Sequence, residues 1–137
     1  MGIIFDSSVL VDAERQGKNA RQAFLDIARK IGEAEIGISV VSLMELAHGA
    51  ARADNLERKT KREKFIQEVV GVVPIYPITI SVALRAGTLD GENQARGIRV
   101  PLADLLNAVT ALEIGYSVGT ANLRHFAQIA GLSVVRL

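Results

Sequence analysis

The sequence predicts an α/β fold with a mostly parallel central sheet of about four to five strands, flanked by helices. Two observations carry this reading. Short apolar runs alternate with longer segments of helical periodicity along the whole chain. The first run, Ile3-Ile4-Phe5, has the apolar character of a buried strand. A length of 137 residues suits one domain over 1–137, and no repeat, linker or low-complexity segment divides it.

Each element has a local reason. Ile3 to Phe5 is a strand, and Ser8 is a candidate cap for a short helix to Arg15. After the polar break Gln16-Gly17-Lys18-Asn19, residues Ala20, Phe24, Ile27, Ala28 and Ile31 fall on one helical face, and Gly32 suits its C-terminal cap. Glu35 to Ser39 reads as the second strand and leads into the helix SVVSLMELAHGAARA. Residues 54 to 70 form a charged helix. Val72 to Ile78 is apolar but holds Pro74 and Pro77, which restrict it to an edge strand or an irregular extended piece. Thr79 or Ser81 caps a helix ended by Gly97. Pro101 takes a first-turn position before the apolar stripe Leu102, Leu105, Leu106, Val109 and Leu112. Residues 116–120 and 132–136 are the last strands, with a short helix expected over 125–130.

Composition excludes several classes. Hydrophobic residues make up 49% of the chain and aromatics 4%, so the core is mostly Ile, Val, Leu and Ala. There is no cysteine, hence no disulfide and no thiolate zinc site; such a chain fits a reducing, cytoplasmic location. The N-terminus lacks the basic start and long apolar stretch of a signal peptide. No uncharged apolar stretch of about 18 residues is present, so no membrane span is expected. A net charge of +1 points to no partner, and any nucleic-acid contact would need a local patch.

In a doubly wound sheet, ligands bind outside the carboxyl ends of the strands. Asp6 lies just past the first strand, Glu45 in the helix after the second, and Asp104 in the first turn after Pro101. Asn122 lies two residues past the strand ending near Thr120. Each has a plainer explanation. Asp6 could cap a helix. Ser42 and Glu45 have the spacing of a capping box. Asp104 complements a helix dipole, and Asn122 could be a loop residue. Their combination is not explained this way. Three acids framed by apolar sequence, without basic partners, would repel one another with raised pKa values. A hard cation such as Mg²⁺ or Mn²⁺ resolves the repulsion and offers an activated water for phosphodiester attack.

The ordered blocks FDSSVLVD, ISVVSLMELAHGA, PLADLLNAVTALEIGYSVGTANLRHF and GLSVVRL resemble the PIN-domain ribonucleases, and within them the VapC toxins of type II toxin–antitoxin modules. The resemblance spans essentially the whole chain. It implies a PIN-like fold and a metal-dependent endoribonuclease that inhibits translation. Asp6, Glu45 and Asp104 match the family's three core acids, as ligands of Mg²⁺ or Mn²⁺ and catalytic groups. Asn122 falls where many members have a fourth acid, which leaves one metal more firmly expected than two. Ser8 and Thr120 match supporting hydrogen-bonding positions. The implied products carry a 5′-phosphate and a 3′-hydroxyl. The implied partners are an RNA substrate, a VapB-type antitoxin that blocks the acidic site, and a second copy in a homodimer.

Other features read more plainly. His125-Phe126 is expected to pack and hydrogen-bond, and His48 to be a surface residue. In ERKTKREK, residues 57–64, a solvated helix face is the default; Arg58, Lys59, Lys61 and Arg62 are candidate RNA-backbone contacts. Asp12, Glu14, Asp90 and Glu92 are expected on the surface. Two rival functions exist. A phosphoacceptor domain would need an adjacent acid pair that IIFDSS lacks. A non-catalytic α/β protein-binding module would use its acids only as caps.

Overall fold

The structure, a computed structural model, describes residues 1–137. Five parallel strands form one sheet in the order β3-β2-β1-β4-β5. The strands are β1 (Gly2–Phe5), β2 (Glu35–Ser39), β3 (Ile75–Tyr76), β4 (Ser117–Thr120) and β5 (Val134–Arg136). Helices α1 (Ser7–Arg15) and α2 (Ala20–Ile31) join β1 to β2, and α3 (Val40–Ala51) and α4 (Leu56–Val72) join β2 to β3. Helices α5 (Ile80–Ala95) and α6 (Leu102–Ile114) return the chain to β4. Every pairing is parallel, so all strand ends that lead into the following segment lie at one edge of the sheet.

Strand alternation divides the apolar residues between two layers. Ile3, Phe5 and Ile38 join Leu10, Phe24, Leu46, Phe65 and Val69 on one face. Ile4 and Val118 join Val82, Leu105, Ala108, Val109 and Phe126 on the other. The central strand β1 is thus dry on both sides. A Cβ on Gly119 would lie 2.6 Å from a Leu137 methyl and 2.9 Å from an Ile3 methyl, so a larger residue there would have to displace those side chains.

Several boundaries differ from the sequence expectation. Asn19 caps α2 in a reciprocal capping box with Gln22, placing the cap in what reads as a polar break. Asn55 caps α4, which runs two residues past its expected end to Val72. Thr79 rather than Ser81 caps α5, because its hydroxyl accepts the Val82 N–H at 3.1 Å. The proline-broken run is an edge strand of two residues, β3. In place of a helix over 125–130 there is one 3₁₀ turn, Leu123–His125. No helix is long and apolar enough to cross a membrane.

Candidate active site

Asp6 follows the last residue of β1 and occupies the N-cap position of α1, yet its side chain makes no capping bond. Its backbone N–H donates to Gly119 O of β4 at 3.1 Å. Its carboxylate is claimed by two hydroxyls: Ser8 Oγ donates to Oδ1 at 2.5 Å and Thr120 Oγ1 to Oδ2 at 2.6 Å. Those hydroxyls are themselves oriented, because Ala121 N–H donates to Ser8 Oγ at 3.1 Å and Asn122 N–H to Thr120 Oγ1 at 2.9 Å. Each hydroxyl accepts from backbone and so turns its proton toward Asp6. Ser8 therefore does not cap the helix, as its position in the sequence suggested; it fixes the acid.

Glu45 is not part of a capping box. Ser39 caps α3, accepting from Val41 N–H at 3.2 Å, so the helix starts earlier than the Ser42–Glu45 spacing implies. Ser42 is buried instead, and donates to Phe5 O at 3.3 Å. Freed from capping, Glu45 accepts from Ser7 Oγ at 3.0 Å. Asp104, in the first turn of α6, lies 2.8 Å from His125 Nδ1.

Asp6, Ser8, Glu45, Asp104, Asn122 and His125 line one cavity of about 460 Å³ at this edge of the sheet. No Lys or Arg pairs with any of the three acids; His125 is the only group of potentially positive charge in hydrogen-bonding contact with them. Burial pushes the Glu45 carboxyl above its ordinary value; the Ser7 hydroxyl pulls it back, and the charges of Asp104 and Asp6 add to the rise. Burial likewise raises Asp104, against the pull of His125 and with the push of Asp6. The acids feel one another, as three carboxylates around one space with no Lys or Arg partner must.

All-oxygen donors of this charge suit a hard divalent cation. The three side chains do not close into a ready-made three-ligand cage. An ion held there would take one or two carboxylates directly and keep several waters, as Mg²⁺ does.

Not every candidate from the sequence belongs here. Arg62 is half-buried and donates to Gly49 O of α3 at 2.8 Å, so it braces two helices. Arg58 pairs with Asp54 at 2.5 Å on the surface, while Lys59 and Lys61 are exposed. His48 is exposed, as expected, and so are Asp12 and Glu92; Glu14 and Asp90 are partly buried. His125-Phe126 packs and hydrogen-bonds as expected, with the roles divided: Phe126 is 1% exposed, while the His125 side chain, 48% exposed, hydrogen-bonds with Asp104. The sequence reading missed Ser7 as the partner of Glu45 and His125 as the partner of Asp104. It also missed Arg15, which stands on the cavity wall. Only the nearness of Ser7 to Asp6 hinted at any of these.

With this geometry in view, the relatives are informative. A family model described as PIN domain matches residues 3–132. Ribonuclease VapC1 of Rickettsia felis is 30% identical over 135 residues, covering 98% of this chain and 96% of its own. Ribonuclease VapC10 of Mycobacterium tuberculosis is 32% identical over 124 residues, covering 90% of this chain and 85% of its own. Among solved structures, VapBC2 from Rickettsia felis bound to a promoter DNA fragment superposes with a TM-score of 0.78 at 22% identity, covering 100% of this chain and 99% of that chain. A match that runs from the first strand almost to the last makes the chain a member of the PIN domain family.

Proposed function

We propose that this protein is a metal-dependent endoribonuclease of VapC type, the toxin of a toxin–antitoxin pair, and that residues 1–137 act as one PIN-like unit. The observation that carries the reading is the cavity of three carboxylates, none with a Lys or Arg partner, at the end of a dry parallel sheet. The relatives named as ribonucleases VapC support the activity, and the VapBC complexes support a VapB-type antitoxin as partner. Cytoplasmic location and a homodimer complete the proposal.

Asp6 and Asp104 would hold Mg²⁺ or Mn²⁺, with Glu45 as a third ligand, direct or through water. The ion, when bound, supplies a Lewis acid and lowers the pKa of a bound water. The chain's own residues do the rest. Ser8 and Thr120 fix both oxygens of Asp6, which keeps its direction constant. Glu45, raised by burial and by its acidic neighbours, suits a group that takes a proton from the attacking water. His125 holds Asp104 in its rotamer. Asn122, at the exposed rim, would donate from its amide to a phosphate oxygen. It brings no fourth charge, and that favours one firmly held ion over two.

The binding-module alternative requires Asp6 and Glu45 to be caps, and neither caps a helix. The test is expression of the wild type beside Asp6→Asn and Asp104→Asn, each purified and titrated with Mn²⁺. The wild type arrests growth and binds Mn²⁺, and both variants fold but do neither. Arrest of equal strength by folded variants would contradict the proposal.

A further inference from the structure

The acid cavity has a neighbour. Between α1, α3 and α4 lies a second cavity of about 230 Å³, and Val11, Arg15 and Glu45 line both. Leu46, Phe65 and Ile66 complete its apolar wall, with Glu14 and Arg62 at the side. Leu46 and Phe65 are 7% and 4% exposed and belong to the core, so this wall is firm. The cavity is smaller than the roughly 300–1,000 Å³ of a drug-sized ligand site. It suits one flat ring system better than an extended segment.

Arg15 is exposed, stands on the shared wall, and pairs with no carboxylate. A guanidinium held between an acidic centre and an apolar hollow has no partner within the protein. A nucleic-acid strand offers what both places lack: an anion on the backbone and, one sugar away, an apolar ring. Single strands present their bases for such stacking without sequence pairing. We propose that the second cavity is a base-binding subsite. It takes one nucleobase of single-stranded RNA beside the phosphate at the acid cavity, with Arg15 on the intervening backbone phosphate. This rests on the ribonuclease reading above.

Gly49 lines the cavity from α3, and a Cβ there would meet no atom within 4 Å. Gly49→Leu therefore fills the space without a backbone clash. The probe is a pool of randomised single-stranded RNA with Mg²⁺, read as kinetics and as base frequency beside the cut. The wild type shows a base bias at one flanking position. Gly49→Leu raises KM by roughly tenfold with kcat unchanged, the mark of lost uniform binding, and flattens that bias. Arg15→Gln raises KM, keeps the bias and lowers the salt dependence by about one phosphate contact; Arg15→Lys restores most of the loss. Unaltered KM and bias in Gly49→Leu would overturn the proposal. If that variant instead loses capture of a partner protein, the cavity belongs to a protein segment. Should Gly49→Leu lose its melting transition, Ile66→Ala carries the same readouts. Cleavage by the wild type with no bias on either side sinks the subsite alone. No cleavage of any RNA by the wild type sinks the ribonuclease reading, and the subsite with it.

Discussion

Thr120 shows how much of this site depends on groups that would never touch an ion. Its hydroxyl takes a backbone proton from Asn122 and gives its own to Asp6, so it sets the direction of the carboxylate. Thr120→Val keeps the shape and removes that donor; activity should fall by about 10–100-fold, measured as RNA cleavage at saturating Mn²⁺. Glu45→Gln removes a proton acceptor rather than an orienting bond, and should cost about 10²–10⁴-fold in kcat. The same residues carry a pH signature. Glu45 and Asp104 have folded pKa values above their ordinary ones. The stability they contribute is therefore present below the ordinary carboxylate range, near pH 4, and is lost as pH rises through the raised values. In a chelator at neutral pH, Asp104→Asn should melt a few degrees above the wild type. The gain should be small, because the cavity is open to solvent and water screens the repulsion. At acid pH the gain should vanish. A melting point lowered by the substitution at neutral pH would show that the acids are not in conflict. At this scale the acids were legible, and Ser8 and Thr120 stood out as hydrogen-bonding positions beside Asp6; the partners of Glu45 and Asp104 were not legible. Ser7 meets Glu45 across 38 residues and His125 meets Asp104 across 21, separations set by crossovers and not by any local spacing.

Elements join the site through a buried polar link. Ser39, the last residue of β2 and the cap of α3, donates to Asn107 Oδ1 on α6. This ties the helix that carries Glu45 to the helix that carries Asp104. Asn107 is wholly buried and its amide nitrogen has no partner, so α6 already bears an unmet donor. Ser39→Ala would orphan the carbonyl oxygen as well and remove a cap. It should cost about 1–3 kcal/mol by urea denaturation, and less in an Asn107→Leu background, with a coupling of at least about 0.5 kcal/mol. Purely additive losses would show that the link carries nothing. The order of elements was readable from periodicity and punctuation, since Gly32, Gly97 and the two prolines that flank β3, Pro74 and Pro77, stop their segments where expected. The capping of α3 was not. Ser42 and Glu45 mimic a capping box in sequence, but β2 ends at Ser39 and the helix begins there, which turns Ser42 inward to Phe5.

For the molecule as a whole, the parallel sheet is the device that concentrates charge. Parallel β1, β2 and β4 bring their ends to one edge, and the dry strand β1 carries Asp6 to that edge with its backbone already bonded on both sides. The aliphatic core does not choose the function; it fixes the distances among acids that would otherwise separate. A net charge of +1 leaves the approach of RNA to local cations, of which Arg15 lies on the cavity wall itself. On the proposed function, this acidic edge cuts RNA with the help of a divalent ion. The most direct measurement is a map of new RNA ends after purified protein meets total RNA, with Mg²⁺ or with chelator, and with Asp6→Asn in parallel. The expected result is discrete cuts bearing 5′-phosphates, made only by the wild type and only with the metal. The same cuts made in chelator, or by Asp6→Asn, would contradict it.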